Sequence, residues 1–161
     1  MASTRPSPPS PGARAARGSL GRALRLAVAI AAAVDASGCS SIVGEPIPTT
    51  VRAGRLCVER QPKDTRDLAT IVAESLRAAG FDAYAGDGGV CADAAPYRVT
   101  YIDNWHWDMR PYLSRITIEV SDGATGEILG FGESRQDSLA AMGKTYRDVI
   151  DRAVAKMIGG T

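Results

Sequence analysis

Both tryptophans and the single histidine of the 161-residue chain fall in one segment, Asp103-Asn104-Trp105-His106-Trp107-Asp108-Met109-Arg110. Three chemistries could use it. A metal site would draw on Asp103, His106 and Asp108, but one histidine with two carboxylates is a poor donor set for zinc or copper. A hydrolase-type site would pair His106 with Asp108, yet no motif marks a nucleophile, and neighbouring strand residues point to opposite faces. A partner surface would use Trp105 and Trp107 as flat anchors, flanked by Asn104, His106 and Asp108. The bland alternative is aromatic packing at one end of the core.

Two further features resemble chemical sites only loosely. Asp82, Asp87 and Asp93 surround Gly86, Gly88 and Gly89 without the spacing of a calcium loop. Gly130 and Gly132, in Leu129-Gly130-Phe131-Gly132, read as strand bends or close packing sooner than as a phosphate cradle. No catalytic residue, metal site or cofactor is expected.

Ahead of these residues lies an export signal. Arg22 and Arg25 precede a nine-residue apolar run, Leu26 to Val34. That is too short for a hydrocarbon core needing about 20 residues, but suits the centre of a secretory signal. The following Ala36-Ser37-Gly38-Cys39 resembles the lipobox of bacterial lipoproteins. In that family the cysteine sulfur receives a diacylglyceryl group, cleavage falls just before it, and the new N-terminus is acylated. The resemblance implies a signal peptide over residues 1–38 and a lipid on Cys39. Ala36 in place of the commoner leucine, Asp35 beside the apolar run and a long Pro- and Arg-rich leader depart from the pattern.

With Cys39 consumed, Cys57 and Cys91 remain. In an exported chain such a pair reads as one disulfide, with two buried thiols as the alternative; no CxxC spacing supports zinc or redox chemistry. Of 19 basic side chains five lie within residues 1–38, leaving 14; of 18 acidic ones only Asp35 does, leaving 17. The remainder is therefore mildly acidic, at a net charge of about −3, without the basic stripe that nucleic acid or anionic lipid would need.

The elements that must position these residues follow from periodicity. Residues 39–53, with two prolines and no period, read as a flexible tether before a domain over residues 54–161. Leu56 to Val58 predicts a first strand. Thr65 is placed to cap a helix reaching about Ala79, with Leu68, Ile71, Val72 and Leu76 as its stripe. A short strand at Phe81 to Tyr84 precedes a loop at 85–89. Strands follow at Tyr97 to Asp103 and Tyr112 to Ser121, where Tyr112, Ile116, Ile118 and Val120 are expected on one face. A turn at 122–126 leads to a hairpin arm from Glu127 to Ser134, and a helix from Tyr146 to Ile158 closes the chain. The order β-α-β-β-β-β-α predicts a two-layer α+β sandwich, its mainly antiparallel sheet carrying two amphipathic helices on one face. Counting by twos from Tyr97, Val99 and Tyr101 sends Trp105 and Trp107 to that face. Trp107 is expected to be buried, Trp105 to keep an exposed edge and His106 to meet solvent.

Cys39 after a signal, Asn104-Trp105-His106-Trp107-Asp108, a following Tyr-Leu strand, a Gly-Glu arm and the last helix together resemble a family of small proteobacterial lipoproteins without an assigned activity. The resemblance spans roughly residues 97–158 beyond the leader, and only the Trp-x-Trp-Asp part is specific. It implies an outer-membrane address, as does the similarity of Ser40-Ser41 to the residues that follow the lipid cysteine in outer-membrane lipoproteins. The layout is also similar, at the level of fold alone, to the accessory lipoprotein of the lipopolysaccharide translocon. The function expected is a periplasm-facing, membrane-anchored binding or assembly module with an envelope protein as partner and no role in catalysis. A small-molecule or lipid carrier with an apolar cavity between sheet and helices is the alternative, and an enzyme centred on His106 the most remote.

Overall fold

The alternation that predicts a half-wet sheet is realised in the longest of six strands. The computed structural model describes residues 40–159; the expected signal peptide and Cys39 lie outside them. The strands are β1 (Ser40–Glu45), β2 (Arg55–Glu59), β3 (Asp82–Gly86), β4 (Tyr97–Asp108), β5 (Arg110–Asp122) and β6 (Ile128–Gln136). The α-helices are α1 (Leu68–Ala78), α2 (Gly88–Ala94) and α3 (Tyr146–Met157). One sheet runs β1-β6-β5-β4-β2-β3. It is antiparallel from β1 to β4, while β2 lies parallel to both β3 and β4. Parallel neighbours need crossovers, which α1 supplies between β2 and β3. The α+β sandwich expected from the sequence is the fold observed.

Leu56, Val58, Val99, Tyr101, Ile116, Ile118 and Val120 line the covered face, against Leu68, Val72 and Leu76 of α1 and Val149, Ile150 and Met157 of α3. On β6 the inward positions are Gly130, Gly132, Ser134 and Gln136, all buried. Their smallness admits α3: a Cβ on Gly132 would lie 2.0 Å from the Ala153 carbonyl oxygen. Close packing is thus the role of these glycines.

Four expectations require correction. Residues 40–53 are not a structureless tether. β1 pairs with β6, and a 3-10 turn at Thr49–Ala53 buries Val51. The first helix begins at Leu68 without side-chain capping by Thr65; Asp64 accepts hydrogen bonds from the Leu68 and Ala69 amides at 2.9 and 3.0 Å. The loop at 85–89 instead holds the end of β3 and the start of α2. Finally, β5 is not uniform in phase. Asn104 pairs with Arg115 but Trp105 pairs with Leu113, so Ser114 is the extra residue of a bulge. The bulge buries Leu113 and turns Tyr112 to the open face.

α2 occupies the opposite face from α1 and α3. Cys57 alternates with the core residues Leu56 and Val58, so its sulfur points away from them. It is disulfide-bonded to Cys91 of α2, with the Cα atoms 5.3 Å apart and both residues buried. Closing about 35 residues, the bond contributes roughly 3.8 kcal/mol by chain entropy.

Candidate functional site

β4 and β5 continue past the helices as a two-stranded arm that reverses at Met109, a left-handed residue with φ of 58°. The residues singled out in the sequence therefore do not share one environment. Trp105 is half-buried against the core. Its Nε1–H donates to the Asp103 carboxylate at 2.6 Å, Arg66 stacks 3.9 Å from its ring centroid, and Tyr146 meets it edge-on at 5.0 Å. Trp107 follows on the same face, paired with Pro111, but is 75% exposed. The expectation that Trp107 is the buried indole is wrong, and the order of the two is reversed. Parity gave the direction correctly; the arm has simply outrun the helix layer that would cover it.

Behind Trp105 lies a polar brace. The Tyr101 hydroxyl donates to Asp64 at 2.8 Å, and the Gln61 side-chain amide donates to the Tyr101 carbonyl. Burial first, then the bond to Asp64, pushes the Tyr101 phenol well above its ordinary range, which keeps it a donor. At Asp64 burial alone would raise the carboxyl. The Ala69 and Leu68 amides, the Tyr101 hydroxyl and the Arg66 amide outweigh it and hold the group below the usual carboxylate range.

Asn104, His106 and Asp108 fall on the other, open face. His106 is exposed and pairs with Tyr112, their ring centroids 6.2 Å apart. With Asn104, Arg115 and Arg135 these two rings line a cavity of about 520 Å³ on the sheet. A second cavity of about 550 Å³ lies between the arm tip and the segment 138–143, where Met109, Leu139 and Met142 are exposed. Asp137 braces that segment by accepting from the Ala140 amide at 2.8 Å, and Arg110 reaches the Ala141 carbonyl at 3.4 Å. Among the described residues no cluster of three His, Cys, Asp or Glu side chains could hold a metal. None of the described helices is long and apolar enough to cross a membrane.

The place of Tyr112 on the open face, the pairing of Arg115 with Arg135 and the apolar tip were missed by sequence reasoning. For Tyr112 the signal was present in Leu113 and Ile116, whose spacing of three within a strand requires a bulge if both are buried. Once Ser114 is the bulge, Tyr112 joins His106 and Arg115 on the open side.

The architecture is that of a single mixed sheet with two long helices on one face, and solved proteins share it. No protein-family model matches the chain, and no curated protein matches its sequence. Two crystal structures of the PelC dodecamer from Paraburkholderia phytofirmans are similar in fold. One, of a leucine-to-methionine variant of PelC, has a TM-score of 0.55 and 15% identity, covering 73% of this chain and 98% of the PelC chain. The other has a TM-score of 0.55 and 16% identity, covering 76% and 99%. At such identity the likeness establishes the fold.

Proposed function

We propose that this chain is a lipid-anchored envelope lipoprotein defined by its surface rather than by any reaction: a non-catalytic binding or assembly module held on a membrane through Cys39.

The carrying observation is where the described domain begins relative to its exposed apolar side chains. Ser40 opens β1 beside Gln136, whose side-chain amide donates to the Leu113 carbonyl at 3.0 Å, and Leu113 pairs with Trp105. This row crosses the sheet, and the arm and the segment 138–143 extend beyond it. They carry Trp107, Met109, Leu139 and Met142, which are 75, 96, 65 and 69% exposed. Cys39 precedes Ser40 in the sequence, so a lipid on its sulfur would emerge at the same end as this rim. An indole and flexible apolar side chains suit the headgroup–acyl boundary of a bilayer. The Cys57–Cys91 disulfide supports an oxidising compartment such as the periplasm. The dodecameric state of the PelC crystals supports the assembly half of the reading, with copies of the chain or another envelope protein as the partner.

Mass spectrometry of the mature N-terminus tests the anchor. The expected species starts at Cys39 and carries two or three acyl chains, and Cys39→Ala releases the protein from the membrane fraction. A mature chain with an unmodified cysteine, or one cut at another bond, overturns the reading.

A further inference from the structure

The open face holds an arrangement that stability does not explain. Arg115 of β5 and Arg135 of β6 are directly opposite each other on one face of the sheet. Like charges in that position are destabilising. Arg135 is partly offset by Glu133, 3.4 Å away, which also accepts from the Thr117 hydroxyl at 3.0 Å. Arg115 makes no ion pair among the described residues. With the Asn104 amide correctly oriented, its oxygen accepts from Arg115 Nε and Nη2, both at 3.1 Å, and so aims the guanidinium without neutralising it. The row continues to Ser41 of β1, opposite Arg135. Next to it, the bulge at Ser114 places Tyr112 beside His106 as a wall. A bulge that re-aims a side chain into a cavity is a common device of binding sites.

From this geometry we infer that the 520 Å³ cavity binds a phosphate ester of a small polyol, its phosphate gripped by Arg115 and Arg135. Two adjacent guanidinium forks match the several oxygens of a phosphate better than the two of a carboxylate. The volume lies within the range of small-ligand sites. Ser41, Asn104, His106 and the Tyr112 hydroxyl offer polar partners to hydroxyl groups on the body of the ligand. Asp137 is the one carboxylate among the described residues of the lining, and it is already engaged, accepting from the Ala140 amide at 2.8 Å. The same chemistry is presented by a glycerol phosphate headgroup on a lipid and by a free polyol phosphate.

Titration calorimetry of the full chain in neutral detergent separates these sources. The probes are glycerol phosphate, glycerate, and dihexanoyl phosphatidylglycerol below its micelle concentration. Saturable binding of either phosphate probe is expected, weakened roughly tenfold or more by Arg115→Gln and by Arg135→Gln. Arg147→Gln removes the same charge from α3 and should leave the affinity unchanged. Equal affinity for both phosphate probes assigns a free polyol phosphate, and binding of the lipid form alone assigns a headgroup; either supports the site. Circular dichroism checks that each variant remains folded. Absence of saturable binding by both phosphate probes, equally tight binding of glycerate, or an equal loss in Arg147→Gln overturns the proposal.

Discussion

Two tryptophans separated by one residue contribute very differently to stability. Trp105 combines partial burial with an indole hydrogen bond, a cation–π stack and an edge-on tyrosine. Its truncation to alanine should cost about 1–3 kcal/mol, below the full range for a buried aromatic because one edge remains wet. Trp107→Ala should stay within about 0.5 kcal/mol of the parent, as exposed substitutions do. Urea midpoints of both variants decide the matter, and a larger shift for Trp107 would contradict the described arm. Asp64 makes a second residue-scale prediction. Its folded carboxyl is depressed, so its contribution is present above the unfolded value near 3.8 and disappears as pH falls through the lower folded value. Asp64→Asn should therefore lower stability at neutral pH and flatten the acid limb below about pH 5. An unchanged pH profile would show that the brace to Tyr101 and the first turn of α1 does not hold in solution.

At the scale of elements, the close approach of α3 to β6 is the most demanding contact. Gly132→Ala places a methyl group where the Ala153 carbonyl stands, and neither backbone can yield cheaply. A loss at the upper end of the roughly 1–3 kcal/mol overpacking range is expected from thermal or urea unfolding. A neutral result would mean that α3 lies farther from the sheet. The elements legible in the sequence were those whose burial imposes a period, namely β4, the regular half of β5 and both long helices, together with β6, which the turn at 122–126 announced. Those missed are held by other forces. β1 exposes five of its six residues and is retained through backbone pairing with β6, so no apolar alternation marks it. α2 is seven residues long, opens with two glycines and is fixed by the disulfide, which a helical period cannot announce. The segment at 104–108 was legible as a concentration of unusual residues. Its division between core, tip and open face was not, because it depends on where the helix layer stops and on one bulge in the neighbouring strand.

For the whole molecule, the position of β1 has a consequence for the order of folding. The arm of β4 and β5 closes around a single residue, since Asp108 pairs with Arg110. β1, by contrast, pairs with the last strand of the sheet, with Ser40 opposite Gln136 and Glu45 opposite Phe131. Loop-closure entropy makes the near pairing fast and the distant one slow. Pulsed hydrogen exchange during refolding should therefore protect the amides of β4 and β5 before those of β1; simultaneous protection would refute the sequence of events. However the chain is made and delivered, β1 must wait for β6 before its backbone is satisfied. β1 is thus the latch of the sheet, open until residue 136 has arrived.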